Sequence, residues 1–212
     1  MTVESRRPLQ RLIQRVFAHV LARGGDFDRR YYGARRAHLL SSLDGRVLEI
    51  GPGAGTNLAY LPRDVEWIGV EPNEFMHPYI RRRAEEMGRD IDLRAAPAEV
   101  LDVPDASVDS VVGTLVLCSV EDQQRVLSEI IRVLKPGGRF IFIEHVASPP
   151  GSTRRWMQNV SQPVVTFFAD GCHPNRETLR VIESAGFRDV QVERFSVPAW
   201  IVGPHISGIA TR

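Results

Sequence analysis

Residues Val47 to Asn57 read VLEIGPGAGTN, and Glu71 follows Glu49 by 22 positions, closing the apolar run WIGVE. No other stretch restricts the fold so tightly. An apolar strand (Val47, Leu48, Ile50) has to run straight into a turn that holds Gly51, Gly53 and Gly55. Glycine has no Cβ, so this turn can be tight and a ligand can lie against bare backbone. The helix expected next points its free N–H groups at the same spot, which suits a carboxylate or phosphate. A second strand then delivers one carboxylate, and at a strand end a carboxylate suits the two hydroxyls of a ribose. The spacing asks for an adenosine-type cofactor with an anionic tail.

A dinucleotide fold would need G-x-G-x-x-G/A. Counted from Gly51 the last position is Thr56, and counted from Gly53 it is Leu58, so that pattern fails. What stands here is E-x-G-x-G-x-G, beginning at Glu49. Further on, Val108–Arg139 runs as acid, apolar strand, polar turn and amphipathic helix, then R-V-L-K-P-G-G before another apolar stretch. In that order the two motifs resemble the class I S-adenosylmethionine (SAM) methyltransferases. The resemblance implies an α/β, Rossmann-like fold: a seven-stranded, mostly parallel sheet with an antiparallel last strand and helices on both faces. It also implies SAM as the cofactor.

Composition excludes several alternatives. A chain of 212 residues can bury a large core as a single domain. Its net charge of +1 gives no global reason to expect a nucleic-acid partner, and neither a catalytic N-P-P-Y-type motif nor an RNA-binding module is visible. The two cysteines, Cys118 and Cys172, cannot build a disulfide framework, and no Cys/His run has the spacing of a zinc site, so no metal is expected. Charged residues crowd the first nine positions where a signal peptide would need an apolar run, which leads to the expectation of a cytoplasmic protein.

Alternation of elements predicts strands at 46–50, 66–71, 91–94, 108–113 and 139–144, with helices near 56–61, 74–88, 97–100 and 122–134. Residues 148–175 read as a loop and an irregular helix laid over the site, followed by a helix at 176–186 and strands at about 189–196 and 205–211. One domain is expected throughout: a helical cap (1–44), a SAM-binding core (45–147), a substrate lid (148–188) and a C-terminal strand pair (189–212). Within the cap, Leu9, Leu12, Ile13, Val16, Phe17, Val20 and Leu21 form one helical apolar stripe opposite Arg7, Arg11, Arg15 and Arg23. This helix is expected to pack over the cofactor mouth, with Tyr31 and Tyr32 near the acceptor entrance. A weak peripheral membrane contact is the alternative use of a basic amphipathic helix.

The resemblance assigns residues. Gly51, Gly53 and Gly55 would meet the methionine part of SAM, Glu49 would lie near its ammonium, and Glu71 would take the ribose hydroxyls. Asn57 and Pro72 fall in the same two turns. Ala98 and Glu99 fall where the family contacts adenine, although Pro97 replaces an acid common in relatives and also lacks an N–H. Leu115 would wall the cofactor. Acceptor-side candidates sit at carboxyl ends of strands and in the lid: Glu144 and His145, then Asp170, with His173 and His205 behind them. Cys118 reads as a packed small hydrophobe.

A closer resemblance lies in Thr114–Val120 (TLVLCSV), Ile143–Ala147 (IEHVA), Ala169–Thr178 (ADGCHPNRET) and Pro204–Gly208 (PHISG). These segments are similar to the methyltransferase-like 7 group, the alkyl-thiol S-methyltransferases. That implies a small hydrophobic thiol as acceptor, with His145 or Asp170 orienting it or accepting its proton and Trp156, Val165, Phe167 and Phe168 offering an apolar pocket. The group carries an N-terminal membrane anchor, whereas the helix read here is too polar to span. O-, N- or C-methylation of a natural product, quinone or lipid remains open, as does SAM binding without catalysis.

Overall fold

The computed structural model describes residues 8–212. Arg7 and the rest of the first seven positions of the expected cap lie outside them. In chain order the elements are α1 (Pro8–Arg23), α2 (Gly25–Leu40), β1 (Arg46–Ile50), β2 (Glu66–Val70), α3 (His77–Glu86), β3 (Asp92–Arg94), β4 (Val108–Thr114), α4 (Gln123–Val133), β5 (Leu134–His145), α5 (Thr153–Phe168), α6 (Thr178–Ser184), β6 (Asp189–Ser196) and β7 (Pro204–Thr211).

One sheet results, in the order β3-β2-β1-β4-β5-β7-β6. The first five strands are parallel, and β7 runs antiparallel to both of its neighbours. Central strands are covered on both faces, which is why β1 and β4 read as nearly unbroken apolar runs. One face packs Leu48, Val111 and Phe140 against Leu127, Ile130 and Ile182 of α4 and α6. The other packs Val47, Trp67 and Val112 against Ala18, Leu40 and Ile80 of α1, α2 and α3. Helix α4 starts where Asp122 accepts from the backbone N–H of Gln124 and Arg125 (3.0 and 3.1 Å), a side-chain cap for donors that have no helical partner. Strand order reverses between β1 and β4, so a crevice opens at their carboxyl ends, where ligands of open α/β sheets bind.

Several expectations are corrected. The helix near 56–61 is only a 3-10 turn, Thr56–Ala59, and 97–100 holds a turn. Segments this short cannot repay helix nucleation. Strand β5 begins at Leu134 rather than 139, because Leu134 pairs with Val108 before the K-P-G-G segment bulges out and pairing resumes at Arg139 with Ser110.

The apolar stripe of α1 is buried only in part: Leu9, Leu12, Val16 and Val20 are each more than half exposed, whereas Ile13 and Phe17 are half-buried. Gln14 and Ala18 form its buried edge. Contact with the body is made by Phe17, which packs with Ala18 into the core, by Leu21 over the glycine turn, and by polar groups: Gln14 Nε2 donates to Asp170 Oδ1 (2.9 Å), and the Gln14 carbonyl accepts from Asn73 Nδ2 (3.4 Å). The lid helix α5 behaves alike. Trp156 and Phe168 are more than half exposed and Phe167 nearly so, and Val165 is half-buried. Its one fully buried side chain is Gln158, whose amide donates to the Val146 and Ile201 carbonyls and accepts from the Ser148 N–H. Among the described residues no helix is long and apolar enough to cross a membrane.

Candidate active site

The glycine turn is built as its residue types demand. Gly51, Gly53 and Gly55 have φ of +56°, +56° and +74°, the left-handed region that side chains avoid. A Cβ on Gly51 would run into Val116, and one on Gly53 would meet Leu21 Cδ2 of α1 at 3.2 Å. Helix α1 therefore lies directly over the turn. Glu71 stands beside it: its Oε2 accepts from the Gly53 N–H and its Oε1 from the Asn73 N–H, each at 2.9 Å. Asn73 Nδ2 donates on to Asp170 Oδ2 (2.8 Å). This places Asp170, held by Asn73 and Gln14, on the cofactor side of the crevice.

Glu49 sits beneath the turn. Its oxygens accept from Asn57 Nδ2 (2.9 Å) and Trp67 Nε1 (2.8 Å), and it is 1% exposed. Asn57 also donates to Thr114 Oγ1 (3.0 Å), while its own Oδ1 is buried without a protein partner. Pro72 is exposed, Ala98 buried and Leu115 half-buried with φ +57°. Glu99 accepts from the Glu121 N–H (2.7 Å), which ties its carboxylate to the approach to α4.

The acceptor-side candidates separate. Glu144 is fully buried beneath the β4 turn, where its Oε1 accepts from the Val116 and Leu117 N–H groups (3.1 and 3.0 Å). Burial, then the nearby Cys118 thiol, push its carboxyl up to about 8. His145, the last residue of β5, points its Nε2 at Cys172 Sγ (3.0 Å). Cys118, at the turn after β4, completes a cluster in which Cys118 Sγ, His145 and Cys172 Sγ lie within 4.8 Å of one another. The Cys172 thiol and His145 together hold Cys118 well below the ordinary thiol range against burial. Burial acts to lower His145, but Cys118 beside it outweighs that and raises it. Next to this cluster the His145 and His205 ring centres are 6.1 Å apart. His205 Nδ1 donates to the Gly203 carbonyl (2.8 Å), which leaves Nε2 to accept from Tyr32 OH (2.9 Å). Tyr32 thus reaches the acceptor side from α2.

Residues 48–142 match the family model of a methyltransferase domain. Thiol S-methyltransferase TMT1B of Rattus norvegicus is 39% identical over 171 residues, spanning 78% of this chain and 70% of that protein. Thiol S-methyltransferase TMT1A of Homo sapiens is 36% identical over 172 residues, again 78% and 70% of the two chains. This chain is a methyltransferase of that family. The sheet superimposes on geranyl diphosphate C-methyltransferase from Streptomyces coelicolor A3(2) with a TM-score of 0.69 at 17% identity, covering 86% of this chain and 77% of that one, a likeness of fold. The methyltransferase is SAM-dependent, with the bare glycine backbone, the Glu71 carboxyl and the unpaired Asn57 oxygen fitting such a ligand.

Cys118, which reads from the sequence as a packed small hydrophobe, instead belongs to this cluster. Linear spacing hides it, since the three residues stand 27 positions apart each time and come from a strand end, a turn and the lid. Their shared place in LCSV, EHV and DGC was the available signal.

Burial raises both Glu49 and Glu71 from an ordinary 4.5 to about 7. The folded protein then holds these protons more tightly than the unfolded chain does. Their stabilising effect is complete below about pH 4.5 and is lost as pH rises through 7, at up to about 1.4 kcal/mol per pH unit for each group. Denaturant melts of the SAM-free protein from pH 5 to 8 should show stability falling across that window. A flat or rising profile would contradict the burial of these two acids.

Proposed function

We propose that the methyltransferase moves the sulfonium methyl of SAM to the sulfur of a small apolar thiol, held against Cys118, His145 and Cys172. The observation that carries this reading is the cluster itself: a titratable sulfur–imidazole group at the carboxyl ends of β4 and β5, beside the switch-point crevice. The names of the relatives, thiol S-methyltransferases, support the same acceptor. When bound, SAM supplies an electrophilic methyl carbon. Gly51, Gly53 and Gly55 present backbone to its methionine part, Glu71 accepts from the ribose hydroxyls, and Glu49 with Asn57 fixes the turn from below. Ala98 and Leu115 line the adenine and cofactor walls.

Transfer needs a sulfur lone pair held about 3–3.5 Å from the methyl carbon. A free thiol with a pKa of about 8.5 is only a few per cent thiolate at neutral pH. His145 and its cysteine partners are placed to take the thiol proton or to hold the thiolate, while Tyr32 and His205 pack beside them. Asp170, bound to Gln14 and Asn73, closes the cofactor side instead. The deciding assay follows methyl transfer to a short alkyl thiol and to a matched phenol. Turnover of the thiol, rising with pH until the bound thiol is ionised, is expected. Turnover of the phenol alone would reject the thiol acceptor.

A further inference from the structure

We propose that Cys118 Sγ, Cys172 Sγ and His145 Nε2 form a zinc site whose fourth position takes the acceptor sulfur. This rests on the thiol reading for its last part only. Tetrahedral zinc, with bonds of about 2.3 Å to sulfur and 2.0–2.1 Å to nitrogen, sets its ligand atoms about 3.5–3.8 Å apart. The three ligand atoms here already lie within 4.8 Å of one another, and the His145–Cys172 contact of 3.0 Å needs to open only slightly. All three residues are held by backbone that the fold fixes. His145 ends a strand paired on both sides, Cys118 follows β4, and Cys172 is drawn in by hydrogen bonds from its own N–H to the Ala169 carbonyl (3.0 Å) and from the His173 N–H to the Cys118 carbonyl (2.9 Å). Preorganised ligands of this kind lose little entropy on binding an ion.

The donor chemistry selects the ion. Two thiolates and one neutral imidazole are soft and borderline ligands that favour zinc over calcium or magnesium. Their two negative charges cancel a divalent cation, so the site is neutral with its protein ligands alone, and the charge an acceptor thiolate adds is offset by the SAM sulfonium; burial penalises net charge here, since Cys118, His145 and Cys172 are 2%, 5% and 9% exposed. Three protein ligands also match zinc sites that keep one position open for chemistry, whereas structural sites close all four.

The site lies at the carboxyl end of the sheet, on the acceptor side, so the open position has a use. A thiol that coordinates zinc is deprotonated outright. The acceptor R–SH therefore enters as thiolate and its proton leaves to solvent. Its lone pair forms the new S–CH3 bond while the sulfonium C–S bond breaks, and that pair stays on the sulfur of S-adenosylhomocysteine. Thiol and sulfonium become thioether, S-adenosylhomocysteine and one proton. The neutral thioether is a poorer ligand and departs.

The test uses the reduced full chain, stripped with a chelator and titrated with Zn2+ and with Co2+. One equivalent should bind, and cobalt should develop thiolate-to-metal charge-transfer absorption with the visible bands of a tetrahedral site. Cys118→Ser and Cys172→Ser should each lower metal affinity at least about 100-fold and weaken the charge-transfer band. Calorimetric SAM binding by each variant, expected to persist, shows that it has folded. Failure of the reduced wild type to take up either metal tightly, or a cobalt spectrum without thiolate character, would overturn the site. Finding that Cys118 and Cys172 stay free as metal binds elsewhere would do the same. Metal-free protein that methylates a thiol as fast as the zinc-loaded enzyme would remove the open-position role while leaving the thiol acceptor standing. Stoichiometric zinc with methylation of phenols alone would keep the site and discard the thiol.

Discussion

Glu71→Ala should weaken SAM binding by about 1.5–3 kcal/mol, roughly 10- to 150-fold in Kd, the scale of a hydrogen bond to a charged group. Part of that loss comes from the turn. The Glu71 carboxyl accepts from the Gly53 and Asn73 N–H groups, so its removal frees two donors beside the glycines. Glu71→Gln keeps one oxygen acceptor and should fall between wild type and Ala. Because burial raises Glu71 to about 7, the SAM-free protein carries it largely protonated at lower pH, and affinity should fall by up to about tenfold per pH unit below 7. In Glu71→Gln that slope should disappear. Calorimetry on the three proteins from pH 5.5 to 8 measures this. Unchanged affinity in Glu71→Ala would remove the residue from the cofactor site.

The cofactor half of the molecule was legible because its signals are local. A strand, three glycines and a strand-end acid act over short spans, and backbone sterics and strand burial then decide the fold. The same locality explains where reading stopped. Periodicity located α1 and α5 as helices, yet it could not tell which side faces the body. Polar Gln14 and Gln158 take buried positions, while Leu12, Val16, Trp156 and Val160 beside them point outward. Glu49, expected beside the ligand ammonium, is also tied into the turn by Asn57 and by Trp67 of the neighbouring strand. Asp170 and His145, paired by sequence as alternatives for one task, are drawn to opposite sides by Asn73 and by Cys172. Each of these outcomes is set by a partner distant in the chain, and such pairings leave no periodic trace.

His145→Ala tests the acceptor half and is expected to lower thiol turnover about 10²-fold at neutral pH, the usual effect of removing a group that manages the reacting proton. The deficit should depend on the acceptor. A thiol with a pKa of about 8.5 ionises unaided as pH rises, so the variant should recover much of its rate near pH 9. A phenol with a pKa near 10 stays protonated there and should show no comparable recovery. SAM affinity should change little, since the Glu71 and glycine contacts lie on the other side of β4 from the cluster. That split, with rate lost and cofactor binding kept, separates a role at the acceptor from a general loss of structure. The variant removes a ring 95% shielded from solvent and in contact with Cys172, so a melting curve belongs beside the kinetics. His145→Gln, which preserves volume and one polar end, should fold like wild type and share the kinetic deficit. Full activity of both variants toward the thiol across the pH range would take His145 out of the mechanism.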